Sequence, residues 1–527
     1  MHNFLAHTAL HYSIRNEANM SATVQSVIES GSAGVIIDVE CHLSNGLPSI
    51  IIVGLANKAV DEAKERLRGA FTNAELKLPK KRITVNLAPA DIPKDSTSFD
   101  LAIATAILIA GSQTSQALGD NTLMVGELAL NGSVRPVRGI IGKLLAGREL
   151  GFDTFYIPYG NARQALLVPN ITIIPVQNIR DVYLHLNNTV SLKSIATNNG
   201  TTGRAKSSPG DSTSSDFKYV VGQHRAKRAL EIAAAGSHNV LLNGPPGTGK
   251  SMLAKALPTI LPALSPEEML EVTHLHSLAS KQYDVIIHNR PFRSPHHSAS
   301  DISIIGGGQY PRPGEISLAH RGILFLDELP EFGRATIEAL RQPLEDKIIS
   351  VARARDSLVF PAHFILVATA NPCPCGYYGT SHECSCMPHQ ITNYQRKLSG
   401  PIIDRIDMYV DVDEVVHAKL LTSDDQESSA EIADRVVLAR ARQTERFQTT
   451  TKTNSDMTNQ DIKKIGLLSS EAQELLNQAA SRLQISARHY MKSIKVARTI
   501  ADLEGSEQIT PAHMAEALQY RKRTITF

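Results

Sequence analysis

Strand-like and helix-like patterns follow one another along the first third of the chain. The β-branched runs "GVIIDVECHLS" (34–44), "PSIIIVGL" (48–55) and "RITVNLAP" (82–89) read as strands. Between them, "NKAVDEAKERLRGAFTNA" (57–74) spaces its apolar residues at helical intervals with charges in between. "FDLAIATAILIAG" (99–111) is apolar on every face and predicts a buried helix. The pattern stops at Asn187. From there to Ser215 the chain is rich in Asn, Thr, Ser and Gly, with too little apolar surface to offset the entropy of ordering, so residues 187–215 predict a flexible linker. Beyond it, "VVGQHRAKRALEIAAAGSHNVLLNGPPGTGKSMLAKAL" (220–257) reads as a helix, a strand ending at Leu242 or Asn243, a glycine-rich loop, and a helix from Lys250. Two more apolar strands, "GILFLDE" (322–328) and "FILVATAN" (364–371), follow, with "EDKIISVARARDSLVF" (345–360) as a hairpin between them. At the end, "SARHYMKSIKVARTIADLEG" (486–505) has apolar residues three and four apart, and Thr510 and Pro511 supply an N-cap and a first helical residue.

Composition adds bounds rather than a function. A chain of 527 residues exceeds one ordinary core. Its 42% hydrophobic and 20% charged residues are ordinary for a soluble globular protein. No apolar run reaches the roughly 18 residues of a membrane span. The first residues lack a charged segment followed by an apolar one, so no export signal is expected. With five cysteines, this points to a reducing cytoplasm without disulfides. A formal charge of +2 leaves any nucleic-acid surface to a local patch.

Chemistry is concentrated after the linker. "GPPGTGKS" (Gly244, Pro245, Pro246, Gly247, Thr248, Gly249, Lys250, Ser251) fits G-x-x-x-x-G-K-[ST] between a strand and a helix. Backbone N–H groups there can surround phosphate oxygens of ATP, Lys250 reaches the β- and γ-phosphates, and Ser251 joins Mg²⁺. The bland alternative is a chance glycine turn. Asp327 and Glu328 end an apolar strand. Asp327 is expected in the Mg²⁺ shell, and Glu328 is expected to polarise the attacking water. Asn371 ends the next strand, where its side chain orients water against the γ-phosphate. "NPCPCGYYGTSHECSC" (371–386) then holds four of the five cysteines, Cys373, Cys375, Cys384 and Cys386. A Cys₄ set suits tetrahedral structural Zn²⁺, although Cys-x-Cys is tighter than the usual spacing, and His382 or His389 can replace one ligand. Metal-free thiols and a redox switch are the alternatives.

This constellation resembles the AAA+ ATPases. "PFRSPHHSASDISIIGGGQYPRPGEISLAHRGILFLDELPEF", "LRQPLEDKIISVARA", "ANPCPCG" and "SGPIIDRID", with "HLSNGLPSIIIVGLANKAVDEAKERLRGA" and "KRITVNLAPADIPKDSTSFDLAIA" in the first half, resemble the magnesium-chelatase-like group called YifB or ComM. The resemblance covers about Ser21 to Arg521. It implies an α/β architecture: a Lon-peptidase-like α+β domain at 20–186, the linker, an AAA+ core at 216–420 and a helical lid at 421–527. Residues 1–19 fall outside it, as an extension or a mis-chosen start. It also implies an arginine finger at Arg405, acting on a neighbouring subunit's nucleotide, and a sensing arginine in the lid, Arg488 first and Arg498 second. A surface salt bridge of Arg405 with Asp404 or Asp407 is the alternative. A finger acting in trans implies a homo-oligomeric ring, hexameric in this group, that moves along DNA and promotes branch migration in recombination or natural transformation. Cations on two insert-like stretches are candidate DNA contacts: Arg290, Arg293, His296 and His297 beside Gly306–Gly308, and Lys347, Arg353 and Arg355 on the hairpin. Structural ion pairs and loop packing are the alternatives.

In the first half, "PKDSTSFD" places Ser98 at the nucleophile position of the Lon peptidase fold, but Ile141 stands where the activating lysine belongs. A serine without its base is a weak nucleophile, so no peptidase activity is expected. Two rival functions follow from the resemblance: a protein-remodelling regulatory ATPase without helicase activity, and a magnesium-chelatase motor subunit. The first half counts against the second rival.

Overall fold

The computed structural model describes residues 21–30, 33–54, 62–91, 94, 97–197, 216–280, 284–308, 312–352, 357–380, 382–398, 400–414, 426–465 and 467–521. The segment 1–19 lies outside the described residues. The chain divides into two compact units, Met1–Ala205 with Thr273–Ile286, and Lys206–Val272 with Ile287–Phe527. Among the described residues, no helix is long and apolar enough to cross a membrane.

The first unit is a mixed sheet of β1 (Ser21–Ser30), β2 (Ala33–Ser44), β3 (Ser49–Val53), β4 (Arg82–Ala88), β5 (Thr122–Met124), β6 (Thr154–Pro158), β7 (Thr172–Val176) and β8 (Ile195–Ala196). Their spatial order is β8-β7-β6-β5-β1-β2-β4-β3. β1, β2 and β4 pair antiparallel, whereas β5, β6 and β7 run parallel. Alternation decides which faces are buried: Ile83, Val85 and Leu87 of β4 point inward, with more exposed residues between them. The expected helices form as α1 (Ala63–Asn73) and α2 (Asp100–Ala110). α1 buries Leu67, Ala70 and Phe71 on one face, and α2 is buried on nearly every side. Asp100 at the start of α2 is itself buried and accepts from Arg66 Nε at 2.7 Å. Burial pushes its pKa up to about 6 despite that guanidinium.

Ser98 lies in the tight turn Thr97–Phe99, is 1% exposed, and its carbonyl accepts from the Gly126 N–H at 2.8 Å. Ile141 is fully buried in α3 (Ile140–Glu149). Thus the serine serves the turn and is closed to solvent.

The expected linker starts too early. β8 pairs antiparallel with β7, and the buried Thr197 exchanges hydrogen bonds with Ile171. Backbone pairing rather than apolar periodicity orders this stretch, so composition alone missed it. The remainder of the predicted linker, 198–215, lies outside the described residues.

The second unit is built on a parallel sheet of β9 (Val240–Asn243), β10 (Phe292–Arg293), β11 (Ile323–Leu326), β12 (Ile365–Ala370) and β13 (Met408–Asp411), in the order β10-β11-β12-β9-β13. Strands buried on both faces need continuous apolar runs, as in β11 and β12, where every residue is buried. α4 (His224–Gly236) precedes β9, and α5 (Lys250–Ala256) follows the glycine loop. The predicted hairpin forms from Ile348–Ala352 and Ser357–Pro361. The C-terminal helices are α6 (Ser429–Phe447), α7 (Ser470–Leu483), α8 (Ala487–Glu504) and α9 (Pro511–Gln519). Ser428, Ser469 and Ser486 cap three of them, each contact worth about 1 kcal/mol. Val436, Ala497 and Ile500 from these helices join the same apolar core as Val240, Leu242 and Val367 of the sheet.

Candidate nucleotide site and cysteine centre

Parallel pairing brings the candidate residues to one edge. Asn243 lies opposite Ala370 and Asp411, and Leu326 lies opposite Ala368. The phosphate loop, Asp327, Glu328 and Asn371 therefore all leave the sheet at its carboxyl edge, where open α/β sheets bind ligands. Gly247 and Gly249 take left-handed φ of 78° and 87°, and nothing lies within 4 Å of where a side chain would begin. That leaves backbone exposed for phosphate oxygens.

Lys250 is 8% exposed. Its Nζ donates to the carbonyls of Gly244 (2.6 Å) and Pro245 (2.7 Å) and to Asn371 Oδ1 (3.2 Å). Burial lowers its pKa, and Asp327 and Glu328 partly counter that. Ser251 Oγ donates to Asp327 Oδ2 at 3.0 Å. A hydroxyl and a carboxylate so placed fit the Mg²⁺ of a nucleotide, and Lys250 and Asn371 fit its γ-phosphate.

Two residues at this edge escaped the sequence reading. Thr369 Oγ1 donates to Asp327 Oδ1 (2.6 Å) and accepts from the Glu328 N–H (2.8 Å). It thereby fixes both acids, and its signal was a hydroxyl inside the otherwise apolar "ILVATA". Glu328 itself is exposed with φ of 55°, a strained backbone that a functional position tolerates. Gln223, also left-handed at 55°, donates to the carbonyls of Asp413 (2.6 Å) and Thr248 (3.3 Å) and ties the phosphate loop to the end of β13.

The three arginines separate. Arg405 and Arg488 converge on one carboxylate: Arg405 Nη2 on Glu345 Oε2, and Arg488 Nη2 on Glu345 Oε1 at 3.4 Å. The salt-bridge alternative for Arg405 finds a carboxylate in Glu345. Asp407 instead meets Lys492 Nζ (2.9 Å), which also donates to the Ile406 carbonyl (2.9 Å), so α8 is bound to the segment that carries Arg405. Arg498 does not fit a sensing role. It is fully buried, on Asp502 (3.0 Å) and the carbonyl of Glu507 (2.6 Å), four residues from its partner on the same helix.

The candidate DNA cations are partly committed elsewhere. Arg290 Nη2 lies 2.7 Å from Glu268, and Arg293 makes a two-pronged pair with Glu315 at 2.6 Å. The His296 and His297 rings lie against each other, tilted by 33° with centroids 4.1 Å apart. Lys347 lies 4.0 Å from Asp456. Arg353 and Arg355 fall outside the described residues.

The four cysteines come together. All four Sγ atoms lie within 4.8 Å of one another. Cys373 is 3.3 Å from Cys375 and 3.7 Å from Cys384, and Cys375 is 3.5 Å from Cys384. Four sulfurs on a tetrahedral zinc with bonds of about 2.3 Å are about 3.8 Å apart, so the spacing fits. Backbone N–H groups of Cys375 and Tyr378 point at Cys386 and Cys373 Sγ (both 3.3 Å), which suits thiolates. His382 is outside the cluster, 3.7 Å from Glu414.

Comparison with known proteins agrees with this architecture. Family models described as magnesium chelatase subunit ChlI, subunit ChlI of Mg-chelatase, and the subunit ChlI C-terminal region match residues 216–420, 39–161 and 426–521. The second match removes the first half as grounds for setting aside a chelatase subunit. Long relatives distinguish better. A protein named competence protein ComM from Haemophilus influenzae is 43% identical over 504 residues, 95% of this chain and 97% of that one. YifB of Escherichia coli is 41% identical, over 92% and 94%. A Lon protease of Buchnera aphidicola is 28% identical over 191 residues, 34% of this chain and 24% of that protein, in keeping with the Lon-like first half. With a parallel-sheet phosphate site, a capped helical bundle and full-length similarity of this order, the chain belongs to the YifB/ComM family of magnesium-chelatase-like proteins.

Proposed function

We propose that the chain is an ATP-hydrolysing ring motor, hexameric and cytoplasmic, that acts on DNA as a branch-migration helicase in recombination or natural transformation. The observation that carries the ATP half is the single sheet edge on which Lys250 meets Asn371 and Ser251 meets Asp327. Mg²⁺ with ATP neutralises charge that builds on the phosphates. Around it, Lys250 exchanges its loop carbonyls for phosphate oxygens, and Ser251 and Asp327 hold the metal. Asn371 and Glu328 orient the attacking water, with Glu328 aimed by its hydrogen bond from backbone to Thr369. Arg405 and Arg488, gathered on Glu345, serve a neighbouring subunit's nucleotide. The DNA half is supported by similarity to a protein named for competence.

The pairing of Arg290 and Arg293 with carboxylates favours the second reading, a regulatory ATPase that remodels a protein partner. Displacement of a labelled strand from a branched DNA substrate separates the two. The helicase reading expects ATP-dependent displacement that Lys250→Ala abolishes; none by the wild type supports protein remodelling.

The cysteine centre holds structural Zn²⁺ on Cys373, Cys375, Cys384 and Cys386, since four thiolates leave no open position for chemistry. Elemental analysis should find about one zinc per subunit.

A further inference from the structure

The cysteine loop touches the phosphate loop in two places. At its first residue, Asn371 Oδ1 accepts from Lys250 Nζ. At its tightest turn, Gly376 has φ of 90°, and a methyl group there would lie 2.6 Å from Pro246 Cδ and 3.2 Å from its Cγ. Only glycine fits both that backbone and that approach. The turn is built on sulfur: the Gly376 N–H donates to the Cys373 carbonyl (3.0 Å), the Tyr378 N–H to Cys373 Sγ, and the Cys375 N–H to Cys386 Sγ (both 3.3 Å). On its other flank, Gln395 Nε2 donates to the Pro372 carbonyl at 3.1 Å. The shape presented to Pro246 is therefore fixed by whatever holds the sulfurs together.

We propose that the cysteine centre positions the nucleotide site: with its metal bound, it seats Gly376 against Pro246 and Asn371 against Lys250, and so holds the phosphate loop in its binding shape. The proposal rests on the zinc reading above. Without metal, no bond joins the four sulfurs, the turn at Gly376 loses its anchor, and Pro246 loses its packing partner. The loop then samples other shapes, and apparent affinity for nucleotide falls by the fraction of time spent in the competent one. Neither loop need unfold for this.

The test uses the full chain with excess Mg²⁺. Zinc content is measured by elemental analysis. The Kd for a fluorescent ATP analogue is measured as prepared, after a zinc-selective chelator, and after zinc is returned. Stripping is expected to weaken binding about tenfold, and returned zinc to restore it. Gly376→Ala keeps all four cysteines. It should retain zinc at wild-type stoichiometry, weaken nucleotide binding by a similar factor, and leave thermal unfolding of the bundle unchanged. Adding Pro246→Ala, which removes the atoms the new methyl meets, should recover part of the loss. Zinc at one per subunit with nucleotide affinity indifferent both to stripping and to Gly376→Ala would overturn the coupling and leave the zinc reading intact. Absence of zinc from a fully nucleotide-competent preparation would overturn both.

Discussion

Arg405→Ala tests whether neighbouring subunits complete each other's sites. In the single subunit its guanidinium rests on Glu345, a carboxylate 48% exposed. The Arg405 side chain is itself 14% exposed, and a γ-phosphate in place of that carboxylate would keep its guanidinium paired. The groups that grip nucleotide within the subunit, Lys250, Ser251, Asp327 and Asn371, are held by one another and by the phosphate-loop carbonyls. Nucleotide Kd should accordingly stay within about threefold of wild type, whereas kcat should fall by about 10³–10⁵, or roughly 4–7 kcal/mol of transition-state stabilisation. The sharper assay mixes two inactive variants. In rings assembled from equal amounts of Arg405→Ala and Lys250→Ala subunits, a site works when its own Lys250 and its neighbour's Arg405 are both present. Random assembly gives about one quarter of wild-type turnover. Turnover of the mixture no greater than the sum of the separate variants would refute a finger acting in trans.

The remaining expectations concern the parts around that site. Lys492→Ala leaves Asp407 buried without its partner at 2.9 Å and should destabilise the second unit by about 3–5 kcal/mol in chemical denaturation. Loss under 1 kcal/mol would show that His238 and the Asn239 N–H suffice to hold Asp407 charged. Glu271 is held down at about 2 although burial opposes ionisation, because His320 and Arg321 donate to it at 3.0 and 2.8 Å. Its folded pKa lies below the unfolded one, so it contributes stability above about pH 4.5 that is lost as pH falls towards 2. Glu271→Gln should therefore flatten the acid limb of the unfolding midpoint against pH, and an unchanged limb would contradict the assignment. Unfolded casein incubated with ATP and the protein should stay intact, because Ser98 is closed to solvent and Ile141 stands where the activating lysine belongs. Cleavage that Ser98→Ala abolishes would reverse that conclusion.

The parts of the fold that were legible in sequence are those fixed by local chemistry. The phosphate loop needs its glycines, the strands before Asp327 and Asn371 are apolar but for Thr369, and Thr510 precedes its helix by one residue. Pairings between distant segments left no such trace. Glu345 collects Arg405 and Arg488 from 60 and 143 residues away, and Gln223 reaches Asp413 across 190. Arg498 was separable in principle, since Asp502 one helical turn on makes a local pair, whereas Arg488 has no acidic residue at that spacing. Arg290 and Arg293 looked like free cations because Glu268 and Glu315 stand 22 residues to either side. β8 was lost in a polar stretch whose order comes from backbone hydrogen bonds, which composition does not record. The cysteines were legible as a set, but their bearing on Pro246 depends on one glycine's backbone angle.

ATP turnover measured with and without DNA separates a DNA motor from an ATPase that ignores DNA. Forked or four-way junction DNA should raise kcat several-fold in the wild type, with a steep decline as salt rises, and Lys250→Ala should show no turnover with or without DNA. Turnover indifferent to single-stranded, forked and junction DNA alike would contradict it.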